Sequence, residues 1–354
     1  MRIVVAMSGG VDSSVAAGLL AGAGHDVVGL SMQLYDQQEG REAFGSCCSL
    51  DDLHDARRVA ARIGIPHYIV NFEREFDALV VRNFVDEYAA GRTPIPCVHC
   101  NADLKFATLA ERAAGFGAAA VATGHYARVD FDEETRRFRL LRSADRDKDQ
   151  TYFLFSLTQD QLAHALFPVG ALTKTDVRAE ARRLGLAVAD KPDSHEICFV
   201  PNGDAGGFVE RHLPAPVTDG EIVDSGGRVL GRHRGLHRYT VGQRRGLGLS
   251  TGAPLYVLRL DPAETRVVVG PREELGRRDL TASGVNWIAG APPDGPRRVT
   301  ARIRHRHTDA TATVTADVSG HASLTFDDPQ LAITPGQAVV FYDGDEVLGG
   351  GWIC

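Results

Sequence analysis

Short apolar runs alternate with amphipathic stretches through the first half of the chain. Ile3–Met7, Val27–Met32, His67–Asn71 and Ala118–Thr123 read as strands. Between them, a glycine turn leads into a helical stretch through Leu20. Leu53, Ala56, Val59, Ala60 and Ile63 form the apolar stripe of a second helix, which Ser49 can cap with Asp52 in the capping-box position and which Gly64 and Pro66 stop. Phe72–Ala90 reads as a long amphipathic helix closed by Gly91, and Thr175–Leu184 as a further helix stopped by Gly185. This order predicts a parallel, doubly wound sheet. Ligands of such sheets lie beyond the carboxyl ends of the strands, so the loops after Met7, Met32 and Thr123 should share one crevice.

The texture changes after about Cys198. Glycine, proline and β-branched residues rise, and Tyr256–Leu260, Val267–Gly270, Thr311–Val318, Ala322–Phe326 and Ala338–Tyr342 read as strands, with Asp343-Gly344 as a hairpin turn. The expected organisation is one α/β domain over residues 1–200, a small β domain over 201–272 and a second over 273–354, the two β domains being small barrels.

Length and composition agree with several domains. The 354 residues are 44% hydrophobic and 24% charged, as in globular proteins. No apolar run reaches the roughly 18 residues that span a bilayer, and Met1–Val5 has no signal-peptide character, so a cytosolic location without membrane association is expected. The net charge of −7 argues against coating nucleic acid by bulk charge. Locally the balance reverses: Arg228–Arg245 holds six arginines and no carboxylate.

The first candidate site is Ser8-Gly9-Gly10-Val11-Asp12-Ser13-Ser14, between the first strand and its helix. Glycines let backbone N–H groups approach an anion, the helix N-terminus adds its dipole, the serines add hydroxyls, and Asp12 could hold a Mg²⁺ that bridges phosphate oxygens. The pattern is not a Walker A loop. It resembles the PP-loop of ATP pyrophosphatases, which implies ATP cleaved to AMP and pyrophosphate.

Six cysteines without a secretory signal do not suggest a disulfide framework. Cys97-Val98-His99-Cys100 follows the rigid stretch Gly91-Arg92-Thr93-Pro94-Ile95-Pro96 and precedes a helix expected to begin near Asn101, a position that lowers a thiol's pKa. Cys198 lies in Asp193-Ser194-His195-Glu196-Ile197-Cys198-Phe199. A Cys-x-x-Cys pair can also be half of a structural zinc site, completed by Cys198 with His99 or His195. Cys47, Cys48 and Cys354 carry no assigned chemistry.

Across its whole length the chain resembles the tRNA-specific 2-thiouridylases. The resemblance rests on Ser8–Ser13, Gly91–Pro94, Cys100-Asn101 with Lys105-Phe106, Ala122–Tyr126, Asp147–Gln150, Asp193-Ser194 with Ile197-Cys198-Phe199, Gly242–Gly248 and Thr334–Gln337. It implies a PP-loop, adenine nucleotide α-hydrolase-like domain followed by two mainly-β domains, and ATP-dependent 2-thiolation of the wobble uridine. ATP would adenylate O2 of that uridine, with Ala6, Met7, Met32 and Gly124 beside the loop residues Ser8, Gly9, Gly10, Val11, Asp12 and Ser13. Cys198 would carry sulfur as a persulfide from a cysteine desulfurase or sulfur carrier, and Cys100 would help release it. The anticodon region of the tRNA would meet Ile95, Pro96, His125, Lys148, Asp149, Gln150, Arg304, His305 and Gln337.

One departure concerns position 97, which is aspartate in many members of that family and cysteine here. Cys97, Cys100 and Cys198 could supply three thiolates to a 4Fe–4S cluster with one iron open to sulfide. Persulfide relay and cluster-bound sulfide therefore both fit these residues.

Two basic segments are candidate RNA contacts. Arg228–Arg245 interleaves arginines with His233, His237 and Tyr239, which could stack unpaired bases. Arg302-Ile303-Arg304-His305-Arg306-His307 alternates as a strand would, placing Arg302, Arg304 and Arg306 on one face. Two other functions compete: a nitrogen-transferring PP-loop synthetase, which needs no reactive cysteines here, and a non-catalytic tRNA-binding protein.

Overall fold

In the computed structural model, which describes residues 1–35, 50–193, 197–200, 203–213, 217–317 and 319–354, five of the first-half strands form one sheet. Its spatial order is His67–Asn71, Asp26–Gln33, Arg2–Ala6, Ala120–Ala122 and Ala165–Leu166, and all four pairings are parallel. The first strand is central. The next two lie on one side of it and the last two on the other, so the order reverses between Arg2–Ala6 and Ala120–Ala122. Such a switch point opens a crevice at the strands' carboxyl ends.

Alternation along the central strand explains the layering. Ile3 and Val5 face one core with Val15, Ala56, Val59 and Val177, whereas Val4 faces the other with Leu30, Phe72, Phe84 and Leu104. The second helix, Leu50–Ile63, buries Leu53, Ala56, Val59 and Ala60 as its stripe predicts. Cys47, Cys48, Ser49 and Ser194–Glu196 lie outside the described residues. The expected long helix is three joined pieces: Glu73–Phe76 and Arg82–Ala89 are α-helical and Asp77–Val81 between them is a π turn. Lys174–Arg183 is the later helix, with a reciprocal cap between Thr173 and Asp176. Among the described residues no helix is long and apolar enough to cross a membrane.

The second half is β. Tyr256–Asp261, Arg266–Gly270, Gly220–Asp224 and Val229–His233 form a four-stranded sheet around Ile222, Val257, Val267 and Val269. The last six strands close into a barrel, because Gly276–Asn286 pairs with both Ala322–Leu331 and the terminal strand Glu346–Ile353. The hairpin Ala127–Asp132/Arg137–Arg142, from the first half of the chain, joins this sheet through Leu141 opposite Glu346.

A buried charge network fastens that junction. Arg142 is 0% exposed. Its guanidinium lies 3.6 Å from the Tyr342 ring centroid, bonds Asp309 at 2.5 Å and stands 3.6 Å from Asp149. Arg302 reaches Asp149 at 3.3 Å and also pairs with Asp309. Removing one member of a buried ionic cluster leaves its partners desolvated. Arg142→Met is therefore expected to lower stability by about 3 kcal/mol, read as a fall in the urea midpoint; an unchanged midpoint would contradict the network's role.

Candidate active site

The loop after the first strand is built as an anion cradle. Gly9 has φ +75°, and a Cβ there would lie 2.2 Å from the Asp52 carbonyl oxygen, so glycine is required by both conformation and space. Gly10 is the N-cap of the helix Val11–Gly22. The Ser8 amide donates to Ser13 Oγ at 3.2 Å, and Ser14 Oγ donates to the Gly10 carbonyl at 2.7 Å. These bonds fix the turn that aims amides at a phosphate.

The switch point brings the expected nucleotide residues together. A Cβ on Gly124 would lie 2.4 Å from the Ser13 amide nitrogen, so the loop after Thr123 touches the cradle. Ala6 and Met32 sit near the carboxyl ends of neighbouring strands, and Ser31 Oγ donates to the Met7 carbonyl at 2.7 Å. Ala6, Met7, Met32 and Gly124 thus flank Ser8–Ser13 on one edge of the sheet.

Sequence reading missed the cations beside the loop. Lys174 Nζ, only 12% exposed at the side chain, bonds both oxygens of Asp12 at 2.8 and 2.9 Å and Asp193 at 2.7 Å. Tyr126 donates its hydroxyl to Asp12 at 3.0 Å. On the other flank, Lys191 Nζ bonds the Gly9 carbonyl at 3.1 Å, Asp52 at 2.5 Å and Asp55 at 2.6 Å. Lys148 reaches Asp193 at 2.8 Å. Burial alone would raise the Asp193 carboxyl, but the hydrogen bonds from Lys148 and Lys174 outweigh it and hold it at about 2. Two ammonium groups therefore stand against the cradle, each held by a pair of carboxylates.

The cysteines occupy a second part of the site. The helix starts at Pro96, earlier than expected, so Cys97 lies in its first turn. Cys100 begins a π-helical stretch, Cys100–Thr108, instead of preceding a helix. Cys97 is exposed; Cys100 and Cys198 are half-buried and pack against one core. Ile95 and Val98 anchor the first segment in that core, and Phe199 anchors the second through ring contacts with Phe76, Phe84 and Phe208 at 5.1–5.4 Å. Among the described residues, no three His, Cys, Asp or Glu side chains are gathered as a metal site requires. Cys97, Cys100 and Cys198 do not form a ready three-thiolate cradle for a cluster.

Several expected RNA contacts are placed differently. Asp149 is 2% exposed and belongs to the buried network, so its carboxylate does not face solvent. Gln150 accepts from the Tyr126 amide at 2.9 Å. Ile95 and Pro96 are buried. His125 is bonded to Thr123 at 2.8 Å beside Phe106 and Phe167, and burial together with nearby Lys105 keeps its imidazole neutral by lowering its pKa well below the usual value. His305 packs 4.6 Å from Phe153, and Gln337 Nε2 donates to the Thr93 carbonyl at 2.9 Å.

The arginine face at 302–306 does not form. The strand Arg297–Arg302 ends where the alternation was expected to continue; Arg302 turns inward, while Arg304 and Arg306 lie exposed in the following turns. The ion pairs to Asp149 and Asp309 account for this, since they supply the charge that burial of Arg302 needs. In the segment 228–245, all six arginines are exposed, but His233, His237 and Tyr239 are buried in the middle sheet's core and present no stacking face.

Comparison with known proteins covers nearly the whole chain. Residues 1–202 match a tRNA methyl transferase HUP domain, 206–271 a tRNA methyl transferase PRC-barrel domain and 277–353 an aminomethyltransferase beta-barrel domain. The tRNA-specific 2-thiouridylase MnmA of Koribacter versatilis is 53% identical, over 99% of this chain and 98% of its own. Its counterparts in Solibacter usitatus and Geobacter metallireducens are each 54% identical, over 99% of this chain and 98% and 96% of theirs.

Proposed function

Since the chain belongs to the tRNA-specific 2-thiouridylase family, we propose that it uses ATP to replace O2 of a tRNA wobble uridine with sulfur. The observation that carries this reading is the meeting of the Ser8–Ser14 cradle, Gly124 and two lysines at the switch point of the parallel sheet. Residues 1–200 would do the chemistry, and residues 201–272 and 273–354 would hold the tRNA body.

ATP would lay its phosphates along the cradle. Lys174 and Lys191 would leave their carboxylates for the phosphates, neutralising charge as pyrophosphate departs. Asp12 is the cradle carboxylate that would hold a Mg²⁺, which would supply further charge neutralisation at the phosphates. Attack of uridine O2 on the α-phosphorus makes an O2-adenylated base and turns a poor leaving group into AMP. The target base must leave the anticodon stack to reach this crevice, and contacts to the tRNA body would offset that cost.

Sulfur would arrive as a Cys198 persulfide, supplied by a protein that carries sulfur as persulfide. Its terminal sulfur attacks C2 and AMP leaves with the former O2. The Cys100 thiolate then attacks Cys198 Sγ, the new C2 substituent leaves as the thiocarbonyl sulfur, and a Cys100–Cys198 disulfide forms. A dithiol reductant restores both thiols. The anchoring of both cysteine segments in one core supports this pairing.

Purified protein, tRNA, ATP and a persulfide donor should yield AMP and 2-thiouridine in equal amounts, with little AMP when tRNA is omitted. AMP formation without thiouridine, at full sulfur supply, would contradict the proposal. Iron and sulfide analysis after anaerobic purification is expected to find neither. A cluster in proportion to activity would replace the persulfide route by cluster-bound sulfide.

A further inference from the structure

The segment that carries Cys97 and Cys100 is held in part from the C-terminal barrel. The Thr93 amide donates to the Pro335 carbonyl at 2.8 Å, and Gln337 Nε2 returns a bond to the Thr93 carbonyl at 2.9 Å. Gly336, at φ +87°, lets the two backbones meet; a Cβ there would lie 2.8 Å from the Thr93 nitrogen. Further along, the Trp352 ring lies on the His99 ring with centroids 5.1 Å apart and planes 3° from parallel. His99 is bonded to Asp103 at 2.9 Å, one helical turn ahead.

Trp352 is well placed to act as an anchor. Its strand is paired on both sides, with Trp352 opposite Ala338 and opposite Ser283. Its ring also meets the Phe155 ring, edge-on at 5.7 Å, within the catalytic domain. The stacked ring fixes His99, and His99 is the residue before Cys100 at the point where the α turn Pro96–His99 passes into the π stretch. π segments are rare and recur at functional sites, and the turn that leads into this one rests partly on another domain.

We propose that Trp352 is a positioning residue for the Cys100 thiol: by stacking on His99 it sets the Cys97–Cys100 turn, so that the barrel which grips the tRNA also aims the nucleophile. The proposal rests on the reading of Cys100 as the sulfur-releasing thiol. It assigns the His99–Asp103 pair a supporting part, holding the imidazole flat against the indole. It also divides the reaction, since adenylation uses the Ser8–Ser14 cradle and should not need the stack.

The test compares Trp352→Ala, Trp352→Phe and His99→Ala with the unaltered enzyme, each as the full chain. Four quantities are read: tRNA affinity, AMP formation with tRNA, single-turnover thiolation, and the rate of Cys100 alkylation by iodoacetamide relative to Cys97, located by peptide mass mapping. For Trp352→Ala the expected result is thiolation slowed at least tenfold, with tRNA affinity and AMP formation within about twofold and the alkylation ratio shifted severalfold. His99→Ala should do the same, and Trp352→Phe, which retains a stacking face, should recover most of the rate. The proposal is overturned if Trp352→Ala thiolates at the original rate with an unchanged alkylation ratio. It is overturned equally if tRNA affinity, AMP formation and thiolation all fall together and phenylalanine restores none of them. Cys100→Ser, run alongside, separates the underlying reading: full thiolation by that variant would remove the nucleophile itself, whereas the alkylation ratio reports the Trp352 effect on the turn independently.

Discussion

Cys198→Ser should abolish 2-thiouridine formation, by about a thousandfold or more, while pyrophosphate is still released from ATP on adding tRNA and AMP stays attached to uridine O2. A serine hydroxyl cannot carry sulfur, but it leaves the Ser8–Ser14 cradle untouched. Phe199, not the thiol, anchors the segment among Phe76, Phe84 and Phe208, so the fold should survive. Cys100→Ser should differ in kind. The persulfide can still load on Cys198 and attack C2, so a covalent enzyme–tRNA adduct through Cys198 should accumulate and be released by added dithiol. Denaturing gels with labelled tRNA read the adduct directly. Full thiolation by both variants would contradict sulfur delivery through these thiols.

The second large effect should come from Lys174→Met. Methionine keeps much of the side chain's length and apolar stem but removes the ammonium that bridges Asp12 and Asp193. If that ammonium moves to the departing pyrophosphate, AMP formation should fall by about 10²–10³-fold, the range found when one preorganised charge-stabilising donor is lost. The loss should appear in kcat more than in the KM for ATP, because the charge it meets grows as the bond breaks. Lys191→Met should show a similar pattern. Tight ATP binding lost with kcat unchanged would instead make these lysines ground-state anchors.

The cradle was legible in the sequence because its chemistry is local. Glycines, serines and Asp12 fall within seven positions between an apolar run and a helix, and the strand alternation around them gave the parallel sheet and its crevice. Lys174 and Lys191 were not legible. They lie 162 and 182 positions from the loop residues they touch and belong to ordinary-looking helix and turn sequences. Only the fold brings them to the phosphates' side.

The burial of two expected RNA contacts, Arg302 and Asp149, has one physical cause. Arg302 and Asp149 read as surface charges because charged residues are rarely buried. Arg142, Asp309 and the Tyr342 face supply compensation that single-residue reasoning cannot anticipate. His233, His237 and Tyr239 alternate with exposed arginines, and the sequence could not tell which set faced the core; the apolar residues of the middle sheet are few, so its core takes the rings. The hairpin Ala127–Arg142 was unforeseen for a similar reason, since its partner strand lies at the far end of the chain.

Activation of the uridine oxygen itself by ATP is the central step of the proposed reaction. It is tested most directly with tRNA carrying ¹⁸O at O2 of the wobble uridine, by mass analysis of the AMP released as 2-thiouridine forms. One ¹⁸O per AMP, in step with thiouridine, is the predicted result. Unlabelled AMP alongside full thiolation would contradict the account, because the oxygen would then have left by another route.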